Sequence, residues 1–115
     1  MRTAPFALIT IDDVDAASVV LKRLGLLDPT DEIESMERAG EGNMNAVIRV
    51  TTNRRSLILK QSRPWVEKYP QIDAPADRIL AEIDFYRRIA PHPSIRERMP
   101  MLLGFDADAH IMVVE

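Results

Sequence analysis

The 115-residue chain contains no cysteine. That excludes disulfides, thiolate nucleophiles and thiolate metal sites, and it fits a reducing compartment. No apolar run approaches the ~20 residues that a membrane-spanning helix requires. The first ten residues carry one positive charge and a short apolar stretch broken by Pro5, and Asp12 and Asp13 follow at once. This is poor material for a signal peptide. A cytoplasmic protein with no membrane partner is expected. There is no basic excess either: 15 Lys and Arg stand against 18 Asp and Glu, a formal charge of −3, so nucleic acid is not an expected partner. Internal repeats and low-complexity tracts are absent. What is present, 46% hydrophobic and 29% charged residues, is ordinary for a globular chain long enough to bury a core. The length suits one domain, or one lobe of something larger.

The pattern along the chain alternates between helical and extended signals. Val14, Ala17, Leu21 and Leu24 recur at helical spacing, with Thr10 as a candidate cap, Asp12 and Asp13 in the first turn and Gly25 as a stop. A first helix over Ile11–Leu24 is predicted. Ile33, Met36 and Ala39 suggest a strand, Gly40-Glu41-Gly42-Asn43 a turn, Ala46–Thr52 a second strand and Ser56–Gln61 a third. Arg63 to Pro75 reads as irregular, since Pro64, Pro70 and Pro75 oppose a long helix. Asp73 is a candidate cap for a helix over Ala74–Ala90, which Pro91 and Pro93 end. Met101–Phe105 and Ile111–Val114 are two further strands around the turn Asp106–Ala109. The predicted order α, β, β, β, α, β, β implies an α+β fold: a five-stranded, mostly antiparallel sheet with helices packed against it.

Three features bear on chemistry, and each has two readings. Gly40-Glu41-Gly42-Asn43-Met44-Asn45 is either a hairpin turn or a loop whose backbone N–H groups approach a phosphate. Lys60, closing the apolar run Leu57-Ile58-Leu59, is either a strand-end lysine reaching water or a phosphate-binding cation in a cleft. Glu82 falls within the apolar stripe of its helix, between Ile89 and Tyr86 on the helical wheel, where a carboxylate needs a partner. Arg78, one turn earlier, is one candidate; Lys60, reaching out of the sheet, is the other.

The ordered set of glycine loop, strand lysine, helix glutamate and two closing strands resembles the N-terminal, ATP-binding lobe of the aminoglycoside phosphotransferase and choline kinase superfamily. Gly40–Asn45, Leu57-Ile58-Leu59-Lys60-Gln61 and Pro64 are most similar to the methylthioribose kinase branch. The resemblance covers Asp31–Glu115, so residues 1–30 are set apart as an N-terminal helical segment and 31–115 as the kinase-like lobe. It implies that Gly40, Gly42 and the backbone at Asn43, Met44 and Asn45 cover the ATP phosphates. It also implies that Lys60 binds the α- and β-phosphates, that Glu82, on an αC-type helix, holds Lys60 by an ion pair, and that Val114 and Glu115 border adenine. Asn45 stands where the protein-kinase pattern has its third glycine.

The resemblance implies a small-molecule kinase that moves the γ-phosphate of ATP to a hydroxyl of a sugar-like or amino-alcohol acceptor, with Mg2+ held by a second lobe. The family's His-Gly-Asp motif is missing: His92 precedes Pro93 and His110 precedes Ile111. Asp106 and Asp108 could pose as a metal pair, but a polar turn explains them better. The expectation is therefore an N-lobe fragment, inactive alone, without catalytic or metal-binding residues of its own. The alternative is a stand-alone interaction or regulatory module. Met99, Met101 and the strand Ile111–Val114 are expected to form an exposed greasy surface that promotes self-association.

Overall fold

The computed structural model describes residues 7–40, 45–63, 65–66, 69–73 and 77–115; for 65–66, 69–70, 72–73 and 96 the description is of backbone only. The elements are α1 (Val14–Arg23), β1 (Ile33–Arg38), β2 (Asn45–Thr52), β3 (Ser56–Ser62), β4 (Trp65–Val66), β5 (Tyr69–Asp73), α2 (Arg78–Ile89), α3 (Pro93–Arg96), β6 (Leu102–Asp106) and β7 (Ile111–Val114). Five strands form one antiparallel sheet in the order β1-β2-β3-β7-β6, and β4 pairs with β5 in a separate ribbon. The chain is α+β, as its sequence pattern predicts. Among the described residues no helix is long and apolar enough to cross a membrane.

The sheet is covered on both faces, and strand alternation decides which residue goes where. Leu57 and Leu59 of β3, Ile48 and Val50 of β2, and Ile111 and Val113 of β7 join Ala17, Val20 and Leu21 of α1 in one buried cluster. Met112 and Val114 of β7, with Ile58 of β3, join Ile79, Ile83, Tyr86 and Ile89 of α2 in a second. β7 lies between β3 and β6 and is buried along its whole length. It therefore reads as a continuous apolar run rather than an alternating one. This corrects one expectation: Ile111–Val114 are 0–3% exposed and form no part of an open greasy surface. Met101, by contrast, is 53% exposed.

The ends of the elements differ from expectation for local reasons. α1 starts three residues late because Asp13, not Thr10, caps it, its Oδ1 accepting from Ala16 N–H at 3.4 Å. Gly25 stops it as predicted. Its φ is +75°, its N–H donates to the Lys22 carbonyl, and Leu26 N–H donates to the Leu21 carbonyl. That is the paired closure of a Schellman motif, which favours glycine at the left-handed position. Asp73 ends β5 rather than capping a helix, and the residue preceding α2 is Asp77, whose side chain makes no capping bond. The stretch 63–75, expected to be irregular, contains the β4–β5 pair. Two short strands of a small ribbon accommodate prolines that a central strand would not.

Two polar devices fasten α1 and its flanks to the sheet. The Gln61 side chain is fully buried, on the α1 face. It accepts from Ile9 N–H at 2.9 Å and donates to the carbonyls of Ala7 (2.8 Å) and Ala109 (3.0 Å). The leading segment and the β6–β7 turn are thus tied to the end of β3. At the opposite end Arg54, in the β2–β3 turn, donates to the buried Asp31 at 2.6 Å and to Asp28 at 3.3 Å. The Arg54 guanidinium and the Asp28 N–H hold the Asp31 carboxyl below its usual value, outweighing burial, which acts the other way.

Candidate functional site

Lys60 and Glu82 meet. β3 turns Lys60 toward the α2 face, together with Ile58, while Leu57, Leu59 and Gln61 point to the α1 face. Helical periodicity places Glu82 one residue before Ile83 and three after Ile79, at the margin of the stripe that α2 buries. The Lys60 Nζ lies 2.9 Å from Glu82 Oε1, and the two side chains are 25% and 30% exposed. Of the two candidate partners for Glu82, the lysine is therefore the one engaged. Arg78 turns instead to Asn45, its Nη2 donating to Asn45 Oδ1 at 3.0 Å.

The register fixes what surrounds this pair. Val47 stands opposite Lys60, Arg49 opposite Ile58 and Asn45 opposite Ser62 across β2–β3. On the other side Met112 stands opposite Lys60 and Val114 opposite Ile58. α2 packs on β3, β6 and β7, and reaches the start of β2 through the Arg78–Asn45 hydrogen bond. The β1–β2 side of this face is consequently less covered, with Val47 and Ile58 half-buried and Arg49 exposed. Arg49 contacts Glu37 of β1 at 3.5 Å.

The sequence-predicted site residues are distributed as follows. Gly40, with φ +78°, and Asn45 bracket the β1–β2 loop at the Ser62 end of β3; Gly42, Asn43 and Met44 lie outside the described residues. Val114 is four residues further down the sheet, opposite Ile58, a run of about 13 Å at ~3.3 Å per residue. Its side chain is buried beneath α2 rather than presented to a cleft, so only its backbone can border a ligand. Glu115 is exposed, and its N–H donates to the Met101 carbonyl at 3.0 Å.

The sequence reading missed two contacts of this region. One is Arg78 to Asn45. The other is His110 Nε2 to Asp77 Oδ1 at 3.0 Å, which joins the β6–β7 turn to the start of α2. Both link residues 33 positions apart, beyond any local sequence signal. Asp106 behaves as a turn residue: it accepts from Ala109 N–H at 3.1 Å and pairs with Arg23. Among the described residues no three His, Cys, Asp or Glu side chains converge as metal ligands do.

Chemically, the arrangement offers a lysine charge held in place by a carboxylate, two residues before the end of β3 that faces Asn45. An apolar strip lies beside it. A phosphorylated ligand with a flat apolar moiety matches these features. No family model matches the chain, and no curated protein matches it.

Proposed function

We propose that this chain is the nucleotide-binding lobe of an ATP-dependent small-molecule kinase, similar to the aminoglycoside phosphotransferase and choline kinase superfamily. The observation that carries the reading is the 2.9 Å Lys60–Glu82 pair between β3 and α2. In kinases of this general kind a strand lysine binds the α- and β-phosphates and a helix glutamate positions it. Gly40 and Asn45 stand at the end of β3 nearer Lys60, from which the residues between them would face the phosphates. Val47 and Ile58 would meet the base, which lies toward the backbone of Val114 and Glu115.

The residues present fit ATP on one side only. They provide a cation, backbone and apolar surface, and no magnesium ligand set converges among the described ones. The reading therefore assigns Mg2+ binding, the catalytic base and acceptor recognition to a second lobe. The acceptor class is a hydroxyl of a sugar-like or amino-alcohol compound. In this scheme Lys60 neutralises charge on the bound phosphates, and Glu82 restrains the lysine that would otherwise sweep a wide arc.

The test is a two-dimensional NMR titration of the 115-residue chain with ATP, ADP, AMP and adenosine, a readout that reports weak binding. Shifts at Gly40, Asn45, Val47, Ile58 and Lys60 are expected, strongest for ATP, with the phosphate-dependent part lost in Lys60→Met. Shifts that map elsewhere, or no response at millimolar ATP, would overturn the reading.

A further inference from the structure

The two edges of the five-stranded sheet are built differently. β1 carries Glu34, Glu37 and Arg38, charges that discourage a further strand from adding. β6, at the other edge, reads Leu102-Leu103-Gly104-Phe105-Asp106. Its one charge, Asp106, is already engaged by Arg23 and the Ala109 N–H. Among the described residues no element pairs with the outer side of β6. Phe105 is 36% exposed, and Met101, just before the strand, is 53% exposed.

A bulge gives β6 an unusual symmetry. Its register against β7 shifts between Leu102 and Gly104, so that Leu102 stands opposite Val114 and Phe105 opposite Met112. Val114 and Met112 both face α2, so Leu102 and Phe105 face α2 as well. Leu103 packs into the α1-side cluster, and Gly104 stands opposite Val113 of that cluster. The strand thus reads α2-side, α1-side, α1-side, α2-side, the same in either direction. Directly opposed residues of antiparallel strands share a face. A second β6 can therefore add with Leu102 opposite its Phe105 and Leu103 opposite its Gly104, with every side chain on a matching face.

The same register brings a protruding ring to a hole. Beside Leu102, on the α2 face, lies a mostly apolar pocket of about 210 Å3 whose lining includes Tyr86, Ile89, Met99, Met101 and Leu102 together with the charged Arg87. It is smaller than the roughly 300–1,000 Å3 of small-molecule sites and suited to a single side chain. Arg87, at the margin of this pocket, lies 5.5 Å from the Phe105 ring centroid of the same copy. We propose that β6 is the interface of a two-fold homodimer. The two sheets join edge to edge, and Phe105 of each copy seats against the pocket beside Leu102 of the other. The knob and the hole belong to one strand, which favours a second copy of this chain over an unrelated peptide. A short edge pairing with two ring contacts is small for an interface, so the dimer is weak and concentration-dependent. β7 separates β6 from β3, and the dimer leaves Lys60 uncovered.

Sedimentation equilibrium across a concentration series tests this on the chain as it stands. The mass is expected to rise from 13.0 kDa toward twice that value. Phe105→Lys and, independently, the more exposed Met101→Lys should each weaken association at least tenfold, whereas Val19→Lys on the exposed side of α1 should not. Dilution NMR should confine the concentration-dependent shifts to residues 101–106 and the pocket. A strictly monomeric wild type, a Met101→Lys chain that dimerises like wild type, or shifts that map to β1 would each overturn the proposal.

Discussion

Lys60 and Glu82 are 22 positions apart in sequence and 2.9 Å apart in space, and each is half-buried at the junction of β3 and α2. An ion pair this far out of water gains little net stability, because desolvating both charges offsets most of their attraction. The pair is therefore better understood through what it does to the lysine than through stability. Lys60→Met is expected to lower the thermal midpoint of the lobe, since Glu82 loses its partner, without unfolding it, while removing phosphate-dependent nucleotide binding. In a chain that also carries the proposed catalytic lobe, the same change should lower turnover by orders of magnitude. Lys60→Arg should impair it too, since a planar fork does not replace a compact ammonium. Normal kcat in the methionine variant would remove Lys60 from the site.

Asp31 and Arg54 give the fold a defined acid sensitivity. The folded-state pKa of Asp31 is lowered, first by the Arg54 hydrogen bond. An Asp so depressed contributes stability that is fully present above its unfolded value of about 3.9. That contribution is lost as pH falls through the lower folded value. Wild type should therefore lose more stability than Asp31→Asn between neutral pH and pH about 3, although Asp31→Asn starts less stable. Urea midpoints of the two chains at several pH values measure this. Parallel profiles would show that the pair does not act as described.

Gln61 supports three backbone groups from a fully buried position. Gln61→Leu would leave Ile9 N–H and the carbonyls of Ala7 and Ala109 without that partner, at a cost of roughly 1–3 kcal/mol for buried groups left unsatisfied. Amide exchange should rise first at residues 7–9 and at the β6–β7 turn. An unchanged denaturation midpoint would mean that other groups take over all three bonds.

Ser62 presents the reverse case. It is 1% exposed and its hydroxyl has no hydrogen-bond partner among the described residues. Ser62→Ala should be neutral or stabilising by up to about 1 kcal/mol, because it removes a buried polar group that makes no bond. A loss of stability would reveal a partner for that hydroxyl.

Leu21 anchors α1 to the sheet and is completely buried. Leu21→Ala is expected to cost about 2–5 kcal/mol, the transfer free energy plus the cavity left behind. A much smaller loss in the denaturation midpoint would mean that α1 does not share the main core.

What the sequence by itself determined follows from local periodicity and backbone chemistry. Alternation in β2 and β3, the apolar run of β7 and the helical spacing of Val14, Ala17 and Leu21 were enough for the α+β layout. Gly25 was legible because a left-handed closing residue favours glycine. Lys60 and Glu82 were legible as a pair because an apolar strand ending in a lysine and an apolar stripe bearing a carboxylate each need an explanation. Tertiary structure decided the rest. Whether Lys60 or Arg78 engaged Glu82 depended on the placement of α2 over β3. Ile111–Val114 could be read as exposed or buried until the strand order put β7 between two neighbours. The Arg78–Asn45 and His110–Asp77 contacts span 33 residues, a separation over which no period or cap carries information. The open β6 edge, likewise, is a property of the order of strands rather than of any strand alone: position in a sheet, not composition, determines which backbone groups are left to pair.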